Sequence, residues 1–208
     1  MLIHHVPPPI PLFFPYFIWH KSRKEKVIYL TFDDGPVPGV TDFVLEELTK
    51  RQMKGNFFMV GENLLKNPDL GMKVKKNGHQ IGNHTQTHIN GHQCGTEVYV
   101  EDFTKCQATI QEVLEIRTHL FRAPYGRIKR KQREKISHSH QIIMWDVLTG
   151  DFDPKHTASD CLSKAIQHTQ NGSIILFHDQ KKTEKILYEM LPEFLDSIKE
   201  NGYQTGLL

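Results

Sequence analysis

The sequence predicts an α/β fold, a distorted or incomplete (β/α) barrel, TIM-barrel-like and seven-stranded. Three observations carry that expectation. From Val27 onward, short apolar runs alternate with amphipathic stretches, the pattern of strands and helices in turn. Six or seven such units suit parallel strands joined by helical crossovers better than an all-β or bundle fold. The 208 residues fall short of the ~250 that a full eight-unit barrel uses. An open doubly wound sheet is the second architecture that the pattern allows.

Taken in order, Val27-Ile28-Tyr29-Leu30-Thr31-Phe32 reads as a buried strand that stops at the turn signal Asp33-Asp34-Gly35-Pro36. Thr41 is placed to cap a helix with Val44, Leu45 and Leu48 on one face, and Asn56 to Val60 follows as a second strand. Glu62 to Lys76 reads as helix interrupted at Pro68; Gly78 ends it, and His79-Gln80-Ile81-Gly82 is a short strand. The longest helical pattern runs from Thr96 to Ile116, with Val100, Phe103, Ile110, Val113 and Leu114 as its core stripe. A short strand, His119 to Phe121, leads into Arg122-Ala123-Pro124-Tyr125-Gly126. After a basic helix come a strand at Gln141 to Val147, a helix from Ser159 to Gln170 and a strand at Ser173 to Phe177. A helix from Thr183 to Glu200 and a last short strand close the chain.

Composition narrows the function classes. A formal charge of +2 gives no electrostatic reason to expect nucleic acid or an anionic membrane as partner. The basic run Arg127, Lys129, Arg130, Lys131, Arg133, Lys135 lacks interleaved aromatic residues to stack bases, so it reads as the solvated face of a short helix. Cys94, Cys106 and Cys161 form no Cys-x-x-Cys pair and no disulfide framework. The apolar stretch Ile10 to Trp19 has no Lys or Arg before it and no small-residue cleavage site after it, so it is not expected to act as an export signal. It is also too short, and too interrupted by Pro11 and Pro15, to span a bilayer. Residues 1–24 are therefore expected to form an arm packed on a single domain of residues 25–208. The expected location is the cytoplasm, with peripheral association at a membrane surface as the alternative.

Polar clusters stand just after the strands, where barrel enzymes assemble their sites. Asp33-Asp34 follows the first strand, His84 and His88 the third, Arg122 the fourth, Asp151 the fifth and His178-Asp179 the sixth. Adjacent acids point different ways, so one can bind a cation while the other takes a proton from bound water; turn chemistry alone also explains them. His84 and His88, four apart, bring two imidazoles to one side of a helical turn, although His88 and His92 share that spacing among 13 histidines. Two histidines with one carboxylate would leave an open position for water. His178, at the end of an apolar strand, can donate a proton at the barrel mouth or serve as a structural histidine.

The ordered set Thr31-Phe32-Asp33-Asp34-Gly35, His84-Thr85-Gln86-Thr87-His88, Arg122-Ala123-Pro124-Tyr125-Gly126, Trp145 to Phe152 and Leu176-Phe177-His178-Asp179 resembles the five motifs of the polysaccharide deacetylase family, the NodB-homology group of carbohydrate esterase family 4. The likeness runs from about Val27 to the C-terminus. It implies a catalytic domain that removes N-acetyl groups from amino sugars in oligo- or polysaccharides of the chitin or peptidoglycan type. By that resemblance Asp34, His84 and His88 hold a divalent metal, zinc or else cobalt or nickel, which selects His84 as the partner of His88. Asp33 is then the general base and Arg122 its anchor. His178 is the general acid, tuned by Asp151. The Tyr125 main-chain N–H helps stabilise the oxyanion, Trp145 contributes to the substrate site and Leu176 to the acetyl pocket. One departure is visible: Phe152 stands where the family usually has tryptophan, so the groove wall lacks an indole N–H.

Relatives with the same motifs hydrolyse other amides, such as ureides or cyclic imides, and a metal-containing sugar-binding module without turnover is a further alternative. Asp33, Arg122 and His178 together argue for an enzyme, because a pure binder needs neither acid nor base. Asn83-His84-Thr85 and Asn171-Gly172-Ser173 match the glycosylation pattern by chance on this reading.

Overall fold

The computed structural model describes residues 4–208; the first three residues of the expected arm lie outside the described residues. The strands are β1 (Val27–Asp33), β2 (Asn56–Met59), β3 (Gln80–Asn83), β4 (Leu120–Phe121), β5 (Gln141–Ile142), β6 (Val147–Leu148), β7 (Ile174–His178) and β8 (Gln204–Thr205). Seven of them pair in the order β5-β4-β3-β2-β1-β7-β6, all parallel, and β8 pairs with the start of β1. A flat sheet of this width would hold its edge strands ~29 Å apart. Yet those edges, β5 and β6, are joined by residues 143–146 alone, a link that spans at most ~18 Å. The sheet must therefore curl, and it forms the incomplete barrel that the alternation predicts.

The arm lies across the seam between the two edges. Ile18 donates to the Ile142 carbonyl at 2.9 Å and accepts from the Met144 N–H at 2.8 Å, while Val6 donates to Asp146 O at 2.9 Å and His4 O accepts from Leu148 at 2.8 Å.

Alternation along β1 and β2 sorts the side chains. Phe32 and Phe57 stack outside with Phe177, at centroid distances of 5.0 and 5.4 Å, beneath helices α2 (Val40–Lys50) and α8 (Glu184–Glu200). Inside, Phe58, Leu120, Ile143 and Ile174 form a smaller cluster against Tyr29 and Trp145. Two intervening helices, α3 (Gly61–Lys66) and α4 (Pro68–Lys76), meet at the expected break before Pro68. Helices α5 (Thr96–Leu114), α6 (Arg130–Ser137) and α7 (Ala158–His168) complete the outer layer; α1 (Pro9–Phe13) belongs to the arm.

Three local expectations are corrected. Gln141 to Val147 is not one strand: the carbonyls of Ile143 and Met144 turn to the Arg122 guanidinium, at 3.2 and 2.8 Å, so the ladder breaks between β5 and β6. Asp151 consequently follows the sixth strand and His178 ends the seventh. Thr41 is not a cap but sits inside α2, whose N-cap is Gly39. Its hydroxyl instead accepts from Val37 N–H at 2.8 Å and donates to Asp179 at 2.6 Å. Finally, the stretch from His84 to His88 is loop rather than helical turn, with Thr85 and His88 in the left-handed region at φ 64° and 57°.

Candidate active site

Strand geometry points Asp33 and Thr31 to the same inner face of β1, where Arg122 is waiting. The fully buried guanidinium donates to Asp33 Oδ1 at 2.7 Å and to Thr31 Oγ1 at 2.8 Å, and its Cζ lies 4.3 Å from the Phe58 ring centroid. With the two carbonyls of residues 143 and 144 it is held on every side, so Asp33 is fixed by a charge-assisted bond. Asp33 Oδ2 remains, 3.7 Å from His84 Nε2.

Asp34 would face the other way if β1 continued. Instead its φ of 85° swings the chain, a conformation that costs a non-glycine residue about 1–2 kcal/mol, and both carboxyl groups reach the cleft. The next residue has to be glycine, because a Cβ at Gly35 would collide with the Asp179 carboxylate. Asp179 takes hydrogen bonds from Gly35 N–H at 3.1 Å and from Thr41; burial pushes its pKa up to about 8.

His84 and His88 are aimed by their other ring nitrogen. His84 Nδ1 bonds to the Arg122 carbonyl at 2.8 Å and His88 Nδ1 to the Tyr125 hydroxyl at 3.1 Å. Both Nε2 atoms then face Asp34 Oδ1, at 3.4 and 3.0 Å. One ligand atom from each of the three residues lies within 4.8 Å of the others. Asp34 Oδ1 is buried and takes no hydrogen bond, the state of an atom reserved for a cation. Burial opposes ionisation of Asp34, but His84, His88 and His178 outweigh it and hold the carboxyl well below the usual carboxylate range. The donor set of two imidazoles and one carboxylate fits a catalytic divalent site with open positions.

Across the cleft, Asp151 binds His178 twice, Oδ1 to ring Nδ1 and Oδ2 to the main-chain N–H, both at 2.8 Å. Burial disfavours the charged ring, yet Asp151, helped by Asp34 and Asp33, lifts the His178 pKa to about 9. Phe152 packs on the same ring edge-on at 5.2 Å.

Of the residues singled out from sequence, Asp33, Asp34, His84, His88, Tyr125, Trp145, Phe152, Leu176 and His178 line one cleft of about 570 Å³. Arg122 and Asp151 stand behind it, each touching the cleft through its partner. Sequence reasoning missed two contributors. Gln180 donates to the second oxygen of Asp34. Asp102 of α5 receives the N–H groups of Gln86 and Thr87, at 2.8 and 3.1 Å, and so moulds the loop that carries both histidines. Asp102 lies in a stretch whose spacing signals only a helix, and Gln180 just beyond the last motif; only the fold brings them to the site.

A family model described as polysaccharide deacetylase matches residues 20–141. The chain belongs to the polysaccharide deacetylase family. Among curated members of the family, it is 31% identical over 184 residues to the peptidoglycan-N-acetylglucosamine deacetylase PgdA of Listeria monocytogenes, covering 88% of this chain and 38% of that protein. With a peptidoglycan-N-acetylglucosamine deacetylase of Bacillus cereus it shares 29% identity over 194 residues, 91% of this chain and 89% of the relative. The chain thus spans well under half of the Listeria protein and most of the Bacillus one. The fold of the peptidoglycan deacetylase PdaC of Bacillus subtilis superposes with a TM-score of 0.80 at 26% identity, covering 89% of each chain. A crystallised peptidoglycan N-acetylglucosamine deacetylase in complex with 4-naphthalen-1-yl-N-oxidanyl-benzamide reaches 0.90 at 24% identity, over 98% of this chain and 95% of that one.

Proposed function

We propose that this protein is a metal-dependent hydrolase that removes N-acetyl groups from amino sugars of a peptidoglycan-type or related glycan. One observation carries the reading: a three-residue donor set, with Asp34 and His84 buried and His88 half-buried, stands between a carboxylate held by arginine and an imidazole backed by aspartate, all on a single cleft. Family membership and the names of the relatives support the same bond and the same class of substrate.

Asp34, His84 and His88 would hold the cation, and the donor set suits zinc, with cobalt or nickel as substitutes. When bound, the ion supplies Lewis acidity toward the acetamide carbonyl and a more acidic water. Asp33 would take a proton from the attacking water through Oδ2, while Arg122 keeps Oδ1 occupied and the carboxylate aimed. Water oxygen joins the carbonyl carbon, and the Tyr125 main-chain N–H faces the negative charge that develops on the carbonyl oxygen. His178 then gives its Nε2 proton to the sugar nitrogen as the C–N bond breaks, releasing acetate and a free amine. Leu176 receives the acetyl methyl, and Trp145 and Phe152 wall the sugar.

The test is acetate release from N-acetylated glycans, peptidoglycan fragments and chitooligosaccharides included, with and without chelator. Release that chelation abolishes and zinc restores is the expected result. Zinc-loaded protein that binds these glycans without releasing acetate would overturn the enzyme reading, and turnover of ureides or cyclic imides alone would redirect the substrate assignment.

A further inference from the structure

Between the two stretches of arm that bond to β6 and β5, residues 7–17 leave the barrel as a closed excursion. It is built to hold one shape. Ile10 N–H donates to Pro7 O at 2.9 Å, Phe14 N–H to Ile10 O at 3.0 Å and Phe17 N–H to Phe14 O at 3.3 Å, and the Trp19 indole donates to Phe14 O at 3.1 Å. Pro7, Pro8, Pro9, Pro11 and Pro15 restrict the backbone further. Yet α1, inside this excursion, has no buried residue, and its tip is apolar: Leu12 is 82% exposed, Phe13 74%, Tyr16 61% and Phe14 46%. A pre-shaped apolar tip whose Leu12, Phe13 and Phe14 stay exposed among the described residues marks a contact surface.

The neighbourhood identifies the partner. The Arg133 guanidinium lies 4.0 Å from the Tyr16 ring centroid. Helix α6, which carries Arg133, also presents Arg130, Lys131 and Lys135; Glu134 pairs with Arg130 at 2.8 Å and Glu97 of α5 with Lys135 at 2.7 Å, and the cations still outnumber these acids. A tip-to-tip contact with a second copy of this chain would bring those cations against their own kind. An anionic bilayer complements both features, since apolar and aromatic side chains enter the acyl boundary while basic residues meet lipid phosphate. We propose that residues 9–16 insert into the interface of an anionic membrane, with Arg130, Lys131 and Arg133 on its headgroups. Among the described residues no helix is long and apolar enough to cross a membrane.

Flotation of the full chain with vesicles of phosphatidylcholine and phosphatidylglycerol in equal parts, against phosphatidylcholine alone, tests this directly. The protein should float with the anionic vesicles and less so as salt rises. Leu12→Ser with Phe13→Ser should cut partitioning at least about tenfold, and Arg130→Glu with Lys131→Glu should cut it as well. Circular dichroism and acetate release from a soluble substrate should stay unchanged in both variants. No flotation, or flotation that the Leu12 and Phe13 changes do not weaken, overturns the proposal. So does a concentration-dependent dimer in analytical ultracentrifugation that the same two changes dissolve, which would assign the tip to self-association.

Discussion

The Asp151 carboxylate grips His178 at two points, ring Nδ1 and main-chain N–H, each at 2.8 Å. Burial works against a protonated ring, and it is chiefly this carboxylate that lifts the pKa to about 9. As a proton donor, His178 acts in the form that exists below that value, so activity should fall as pH rises through it. Asp151→Asn keeps an acceptor for the ring but removes the charge, leaving burial to dominate. The basic limb of the kcat/KM profile should then move down by about one unit or more. An unmoved limb would remove His178 from the role of acid.

Asp33 and Asp34 are neighbours with separate tasks, and metal analysis distinguishes them. Asp34→Ala or His84→Ala should lose bound metal together with activity, since each takes away one of three ligands. Asp33→Asn should retain metal in full, because its contacts are to Arg122, while turnover drops by about 10²–10⁴-fold. A metal-free Asp33→Asn protein would place Asp33 among the ligands instead.

Arg122 holds structure as well as chemistry. Its guanidinium is fully buried and bonds to Asp33, Thr31 and the carbonyls of Ile143 and Met144. Arg122→Ala strands the Asp33 carboxylate in the interior and should cost about 3–5 kcal/mol of stability. Urea unfolding measures this. Arg122→Lys, a point charge without the planar fork, should recover only part of it.

The same arginine explains where the sequence was readable. Strand-end placement follows from apolar runs that stop at polar residues, and Asp33, Arg122 and His178 all obey that pattern. What it conceals is long-range. The break between β5 and β6 arises because Arg122 draws two carbonyls out of the ladder, and nothing in Gln141 to Val147 itself announces a break. Likewise the four-residue spacing of His84 and His88, which only the family resemblance selects over that of His88 and His92, implies a helical turn that the chain does not adopt; Asp102, distant in sequence, bends the loop so that the two rings meet by another route, at a centroid distance of 5.0 Å. Gln180 met Asp34 with no local signal at all.

Tyr125 offers the subtlest test, because it combines a strained backbone with a ring that touches a ligand. Its φ of 60° turns the chain after β4 toward the cleft, and its hydroxyl meets His88 Nδ1 at 3.1 Å. A histidine whose Nδ1–H has a fixed acceptor presents the Nε2 lone pair, the form a metal needs. Tyr125→Phe removes that acceptor and little else, since the ring and the main chain persist. The site is partly open and water can replace the hydroxyl, so the loss belongs at the lower end of the usual 10–100-fold for such partners, about tenfold in zinc affinity. Competition against a chromophoric chelator reads that constant without any substrate present. Turnover at saturating zinc should remain close to that of the unaltered protein, because the main-chain N–H of residue 125 is unchanged. A variant with normal zinc affinity but depressed turnover would instead assign the hydroxyl to the substrate.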